Sequence, residues 1–324
     1  MPVPVFASQM PPAGILDEHD ETDAGDQMQS VIDEVTNAAR PSAAEGRVAQ
    51  YIPALARIDP TKFALAVITA EGDEYAAGDA DEPFSIQSVS KLFTLALALE
   101  WIGDPLWSRV KREPSGMRFN SIIQLETEAG IPRNPFINAG AIVVTDALLH
   151  HRPLIEIGFR NQMRLLAADE AIRYDAEVHH SEIETGDLNR AAAYLLKARG
   201  NLKEDALLVT NAYFHFCSLA MSARQLARSA LFLLRPQAGN AACHAGVHAH
   251  RLRAVMRTCG LYDQSGEFAF RVGLPAKSGV GGAILAVNTN KGYVACAWSP
   301  PLDSFGNSVA ATMALEMLAA KTGI

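Results

Sequence analysis

Two kinds of apolar run alternate along this chain, and their placement predicts its architecture. Phe63 to Thr69 is a continuous apolar, β-branched stretch; Glu71-Gly72-Asp73 then turns, and Glu74 to Ala77 can return beside it. The pattern recurs near the other end, where Gly282 to Asn288 leads through Thr289-Asn290-Lys291-Gly292 into Tyr293 to Ser299. Short apolar runs bounded by turn residues predict two hairpins. Between them the period changes. Val89 to Trp101, Asn138 to Leu149, Ile155 to Tyr174, Leu188 to Arg199, Ala206 to Phe216, Ser222 to Leu234 and His248 to Thr258 predict helices, with Ser222 as an N-cap. Val31, Ile32 and Val35 mark a further helix from Met28 to Arg40, ended by Pro41, and the last runs from Ser308 to Lys321.

Strands at both ends and helices between them predict an α/β (α+β) fold: one sheet drawn from both chain ends, with a helical lobe inserted. The expected division is an acidic disordered tail over 1–27, a sheet lobe from 28–85 together with 259–324, and an all-helical lobe over 86–258. The active site is expected where the lobes meet. The tail rests on Asp17-Glu18-His19-Asp20-Glu21, a charge run that cannot bury a core.

Composition narrows the partners. The 324 residues carry a net charge of −8, which argues against nucleic acid or an anionic membrane as partner. No apolar run reaches the length of a membrane span, and the start, Met1 to Pro12, does not read as a signal peptide. Cys217, Cys243, Cys259 and Cys296 are dispersed, as reduced structural cysteines are, so a cytoplasmic location is expected.

The chemistry begins at Ser88. Phe84-Ser85-Ile86-Gln87-Ser88-Val89-Ser90-Lys91 places a Ser-x-x-Lys pair at the head of an apolar helix. There, free N–H groups and the helix dipole favour developing negative charge. Lys91 returns to the same face three residues on, and as a neutral amine it could take the Ser88 proton. Such a pair occurs by chance on the order of once in a chain of this size. A second motif gives it weight: Pro275-Ala276-Lys277-Ser278-Gly279-Val280-Gly281-Gly282 supplies a Lys-Ser-Gly on a strand edge. Lys277 is expected to lower the Lys91 pKa as a second cation. The glycines are expected to let backbone approach the substrate, with the N–H groups of Ser88 and Val280 as oxyanion donors.

Two rival readings of these segments fail. A phosphate loop ending at Lys277-Ser278 would need glycines where Ala276 and Arg271 stand. A zinc site at Cys243, His244, His248 and His250 lacks both an H-E-x-x-H and a paired C-x-x-C, and reads instead as a surface helix start. His179-His180 reads as a loop pair. No metal and no cofactor are expected.

Together these segments resemble the serine-dependent, bacterial-type glutaminases, which share the penicillin-binding and serine β-lactamase fold. The resemblance runs from about Gly46 to the C-terminus. It is carried by Gly46-Arg47-Val48-Ala49-Gln50-Tyr51-Ile52-Pro53, the Ser88 motif, Glu113-Pro114-Ser115-Gly116, Asn134-Pro135-Phe136-Ile137-Asn138-Ala139-Gly140-Ala141-Ile142, Ser181-Glu182, Cys259-Gly260-Leu261-Tyr262-Asp263 and the Lys277 motif. It implies hydrolysis of L-glutamine to L-glutamate and ammonia through a γ-glutamyl-serine intermediate, in a homo-oligomer (dimer or tetramer). It implies Ser88 as nucleophile, Lys91 as its base partner and Tyr262 as a second group for proton transfer. It further implies contacts to glutamine from Asn138, Glu182, Asn189, Tyr213, Tyr262 and Val280. Glu182 suits the substrate's α-ammonium, and Asn138 and Asn189 its carboxylate or side-chain amide. Phe136, Phe216 and Ala283 depart from the usual residues without removing a reacting group.

Two alternatives compete. A penicillin-recognising β-lactamase or peptidase would share the Ser-x-x-Lys chemistry, but should show a Ser-Asp-Asn triplet and an export signal. A non-catalytic binding or scaffold protein on the same fold should have lost the nucleophile or its base.

Overall fold

The protein is described from a computed structural model, which covers residues 18–117, 120–234 and 247–323. Among the described residues eight strands form two sheets: β1 (Ala64–Thr69), β2 (Glu74–Gly78), β3 (Phe84–Ser85), β4 (Arg173–Tyr174), β5 (Leu219–Met221), β6 (Ala276–Ser278), β7 (Ala283–Asn288) and β8 (Tyr293–Trp298). The larger sheet is antiparallel throughout, in the order β2-β1-β8-β7-β6. The two terminal hairpins predicted from sequence therefore join along β1 and β8, with Val67 opposite Ala295.

The sheet is buried on both faces, which explains why its strands read as continuous apolar runs. Ala64, Ala66, Ile68, Leu285, Val287 and Cys296 face one core; Leu65, Val67, Ile284, Ala286, Ala295 and Ala297 face the other. The second core is closed by the first and last helices, Glu18–Ala39 and Val309–Thr322, through Ile32, Val35, Ala314 and Leu318. The first core is filled by helices apolar all round, as expected of interior helices. Ser90 through Leu99 are all buried on Ser90–Trp101, and Asn138 through Leu149 on Asn138–His151.

Several expectations are corrected. The first helix starts at Glu18, so residues 18–27 are helical rather than part of a disordered tail; residues 1–17 lie outside the described residues. The helix from Ile155 stops at Ala167, because Ala168 turns left-handed at φ +53°, and Arg173–Tyr174 become β4 instead. The helix capped by Ser222 ends at Ser229 and continues only as a 3-10 turn, Leu231–Leu233. Ser222 itself is a full capping box with Gln225. His179 and His180 lie on the helix Ala176–Thr185, not in a loop. Strand β3, which no sequence pattern predicted, pairs with β5 in a separate sheet, β3-β5-β4.

Cys217, Cys259 and Cys296 are free and buried, while Cys243 and His244 lie outside the described residues. Among the described residues no cluster of three or more His, Cys, Asp or Glu could hold a metal, and no helix is long and apolar enough to cross a membrane.

Candidate active site

Ser88 sits in a 3-10 turn, Gln87–Val89, that leads directly into the buried helix Ser90–Trp101. Gln87 takes φ +47°, a left-handed backbone that strains a non-glycine residue and persists only where its surroundings enforce it. Here the enforcing element is the loop between β6 and β7. A Cβ on Gly279 would lie 2.8 Å from the Ile86 carbonyl oxygen, and one on Gly281 would lie 2.4 Å from that of Ser85. The glycines therefore let one backbone press against another. Support of the Ser88 turn is thus a role they have beside the expected one. Trp298 fixes the same loop: its ring stacks on Phe84 at 4.5 Å and its Nε1 donates to the Gly281 carbonyl at 2.9 Å.

Ser88 and Val280 line one cleft from opposite sides of this contact. Neither backbone N–H donates to a protein acceptor among the described residues. Two free donors in one cleft are what an oxyanion hole requires.

Three ionisable groups meet around Ser88. Lys91 is buried, and its Nζ donates to the Phe136 carbonyl at 3.2 Å and to Asn138 Oδ1 at 2.7 Å. Burial pushes its pKa down to about 8, against the opposing pull of Cys217 and Glu182. Lys277, on β6, is also fully buried; its Nζ donates to the carbonyls of Gly260 (3.1 Å) and Ser278 (2.6 Å). Burial, and then the charge of Lys91, push it well below the usual lysine range. Burial is thus the first cause of the shift at both amines, and the charge of Lys91 adds to it at Lys277.

Tyr262 bridges the two motifs. Its ring lies 4.9 Å from Lys277 Nζ, and its hydroxyl is in hydrogen-bonding range of Ser88 and Ser278. No hydrogen bond joins Ser88 directly to Lys91 or Lys277 among the described residues. Burial raises the Tyr262 phenol above its ordinary value, against the opposing hydrogen bonds with Ser88 and Ser278.

Other walls of the cleft are built by other helices. Asp175 caps Ala176–Thr185 by accepting the N–H groups of Glu177 (2.9 Å) and Val178 (3.0 Å), which places Glu182 two turns on. Glu182 is 6% exposed, and burial pushes its carboxyl up to about 7 despite a hydrogen bond from the Gln87 side chain and the charge of Lys91. Asn138, at the start of its helix, donates through Nδ2 to Asn189 Oδ1 at 2.9 Å, and accepts at Oδ1 from the Tyr213 hydroxyl at 3.3 Å.

Of the residues expected from sequence, Ser88, Asn138, Glu182, Asn189, Tyr213 and Val280 line the cleft. Lys91, Tyr262 and Lys277 join it through Asn138, Ser88 and the Tyr262 ring respectively. Sequence reasoning missed Tyr51, Gln87 and Asn120, which also line it. Gln87 immediately precedes the nucleophile, and Tyr51 lies inside the Gly46–Pro53 segment, so both had a signal. Asn120 had none.

The sequence model of the family described as Glutaminase matches residues 46–324. A glutaminase of Methylobacterium nodulans is 52% identical over 301 residues, covering 91% of this chain and 97% of its own. The solved structure of the probable glutaminase ybaS superposes with a TM-score of 0.85 at 35% identity, covering 95% of this chain and 98% of that one. The probable glutaminase of Bacillus subtilis complexed with 6-diazo-5-oxo-L-norleucine gives 0.79 at 29% identity, covering 95% and 97%.

Proposed function

The chain belongs to the glutaminase family, and on that footing we propose that it acts on L-glutamine through a covalent ester at Ser88. The reaction itself is hydrolysis of glutamine to glutamate, and the penicillin-recognising and non-catalytic alternatives are not favoured. One arrangement carries the mechanistic reading. The cleft holds a hydroxyl, two free backbone donors and a buried carboxyl group. That set of functions suits an amino acid whose side-chain amide reacts while its α-ammonium is held.

In the first step Ser88 Oγ attacks the amide carbon as neutral Lys91 takes its proton. The Ser88 and Val280 N–H groups hold the oxyanion. The Tyr262 phenol passes a proton to the departing ammonia, and the proton on Lys91 restores the phenol. Water then repeats the sequence on the ester and frees glutamate. Glu182 holds the α-ammonium; Asn138, Asn189 and Tyr213 orient the rest. Lys277 supports the Tyr262 ring from 4.9 Å.

The test is alkylation by 6-diazo-5-oxo-L-norleucine followed by peptide mass mapping. One adduct on the peptide containing Ser88 is expected, and none in Ser88→Ala, whose ammonia release should fall by roughly 10⁴-fold or more. An adduct on Tyr51 or Cys217 would overturn the assignment.

Glu182 gives a second expected result. Below pH 7 it is protonated, and binding an ammonium must then expel that proton. KM should rise by up to about tenfold for each pH unit below 7 and level off above it. Glu182→Gln should have a high KM that no longer varies over this range. A wild-type KM flat from pH 5 to 8 would show that Glu182 does not hold the ammonium.

Two coarser readings go with this one. The free, buried state of Cys217, Cys259 and Cys296 supports a cytoplasmic enzyme. Family likeness, with apolar side chains as exposed as Phe270 (88%) and Ile123 (69%), supports a homo-oligomer.

A further inference from the structure

Tyr262 stands on a strained backbone, and its surroundings must hold it there. Its φ is +52°, in the left-handed region that a residue with a side chain leaves unless it is prevented. The strain sits at the head of the 3-10 turn Tyr262–Gln264. A return to negative φ would redirect the bond from backbone to ring, and so carry the phenol away from Ser88.

Asn307 spans this turn. It is fully buried, and its Nδ2 donates to the Leu261 carbonyl at 3.3 Å and to Gln264 Oε1 at 2.6 Å. These acceptors lie just before Tyr262 and at the far end of its turn. Ser265 Oγ adds a second tie, accepting the Leu261 N–H (2.9 Å) and donating to the Tyr262 carbonyl (3.0 Å). Asn307 is itself pinned on both sides. Its N–H donates to Asp303 Oδ1 at 3.0 Å, and its carbonyl accepts the Asp303 N–H at 2.8 Å. The next residue, Ser308, caps the last helix and donates to the Ser299 carbonyl at 2.6 Å. The residue before, Gly306, lies against the Tyr262 ring, where an added carbon would stand 3.6 Å from it. Asn307 does not line the reactive cleft. Its Oδ1 has no hydrogen-bond partner among the described residues, so the amide works through its donors alone.

Resting on the reading that Tyr262 passes a proton to departing ammonia, we propose that Asn307 is a positioning residue for that transfer. Its amide clamps the strained turn and keeps the phenol in line with the leaving group. It acts through Tyr262 and not on the substrate. Its removal therefore slows the steps in which Tyr262 delivers a proton, and leaves substrate binding and the attack by Ser88 as they were.

The experiment compares two substrates that share the γ-glutamyl group. L-Glutamine must have its nitrogen protonated to leave; the γ-p-nitrophenyl ester of L-glutamate loses a phenolate that needs no proton. On each, kcat/KM reports formation of the Ser88 ester. Asn307→Leu keeps the shape and removes the donors, while the Leu261 carbonyl still accepts the Gln264 N–H at 2.9 Å. Its kcat/KM should fall by roughly 10²-fold on glutamine and by less than about threefold on the ester. Inhibition by L-glutamate should not change, which shows that the cleft is intact. Gln264→Ala removes one of the two acceptors and leaves the buried amide in place. It should show the same split at about tenfold, and it decides the question if Asn307→Leu does not fold. Tyr262→Phe is the reference, with the larger split. If Tyr262→Phe does not discriminate between the two substrates, its proton transfer is overturned, and the role of Asn307 with it. If Tyr262→Phe discriminates, but Asn307→Leu (or, where that variant does not fold, Gln264→Ala) affects both substrates alike or neither, the positioning role alone is overturned.

Discussion

Lys91→Met is expected to be nearly inactive and more stable than the parent protein. The activity should fall by roughly 10³- to 10⁴-fold, the usual contribution of a general base to such a step. The stability effect follows from burial. Lys91 titrates at about 8 in the folded protein against 10.5 in the unfolded chain. Below pH 8 the folded state must either hold a charge out of water or give up a proton that the unfolded state keeps. That penalty is fully present at pH 7 and fades as pH rises toward 10.5. It amounts to roughly 3 kcal/mol at pH 7 and about 1 kcal/mol at pH 9.5. Methionine has nearly the same length and no charge, so it recovers this difference. Urea unfolding of both proteins at the two pH values measures it. An unchanged midpoint at pH 7 would mean that the amine is better solvated than its surroundings indicate.

The second large effect is expected from a single methyl group. In Gly281→Ala the added carbon would stand 2.4 Å from the Ser85 carbonyl oxygen and 3.3 Å from the Gln87 side chain. Neither strand can retreat easily, because Trp298 pins the glycine loop to Phe84 from behind. The loop must shift, and with it the Val280 N–H. Loss of one oxyanion donor lowers kcat by about 10²- to 10³-fold. KM should change little, since Glu182, Asn138 and Asn189 stand on other helices. A kcat within threefold of the parent would show that the loop moves without disturbing Val280. Gly266→Ala is the control, since no atom lies within 4 Å of its added carbon and its φ is not positive.

Some of this molecule was legible in its sequence and some was not, for physical reasons. The hairpins of the main sheet were visible because a strand buried on both faces must be apolar along its length. The helices were visible where a Ser or Asp cap or an apolar stripe marked them. The two- and three-residue strands Phe84–Ser85, Arg173–Tyr174 and Leu219–Met221 are too short to show any period, so the small sheet stayed hidden. The helix after Ile155 was overextended because Ala168, a good helix former, stands in the left-handed position that usually signals glycine. At the site, local motifs delivered Ser88 and Lys91, and likeness to a family delivered the amino-acid end. What could not be read was how completely both lysines are buried, a property of the packed interior alone.

The strand order β2-β1-β8-β7-β6 has a further consequence for how the enzyme is made. On the ribosome, β1 and β2 emerge more than two hundred residues before the strand that completes them. Until β8 arrives, one long edge of the early hairpin has no partner, and the apolar faces around it have no cover. Ser88 and Lys91 emerge early, whereas Tyr262, Lys277 and Val280 belong to the final fifth of the chain. A nascent glutaminase of this design therefore stays inert until synthesis is almost over, and it is during that wait that it most needs a chaperone.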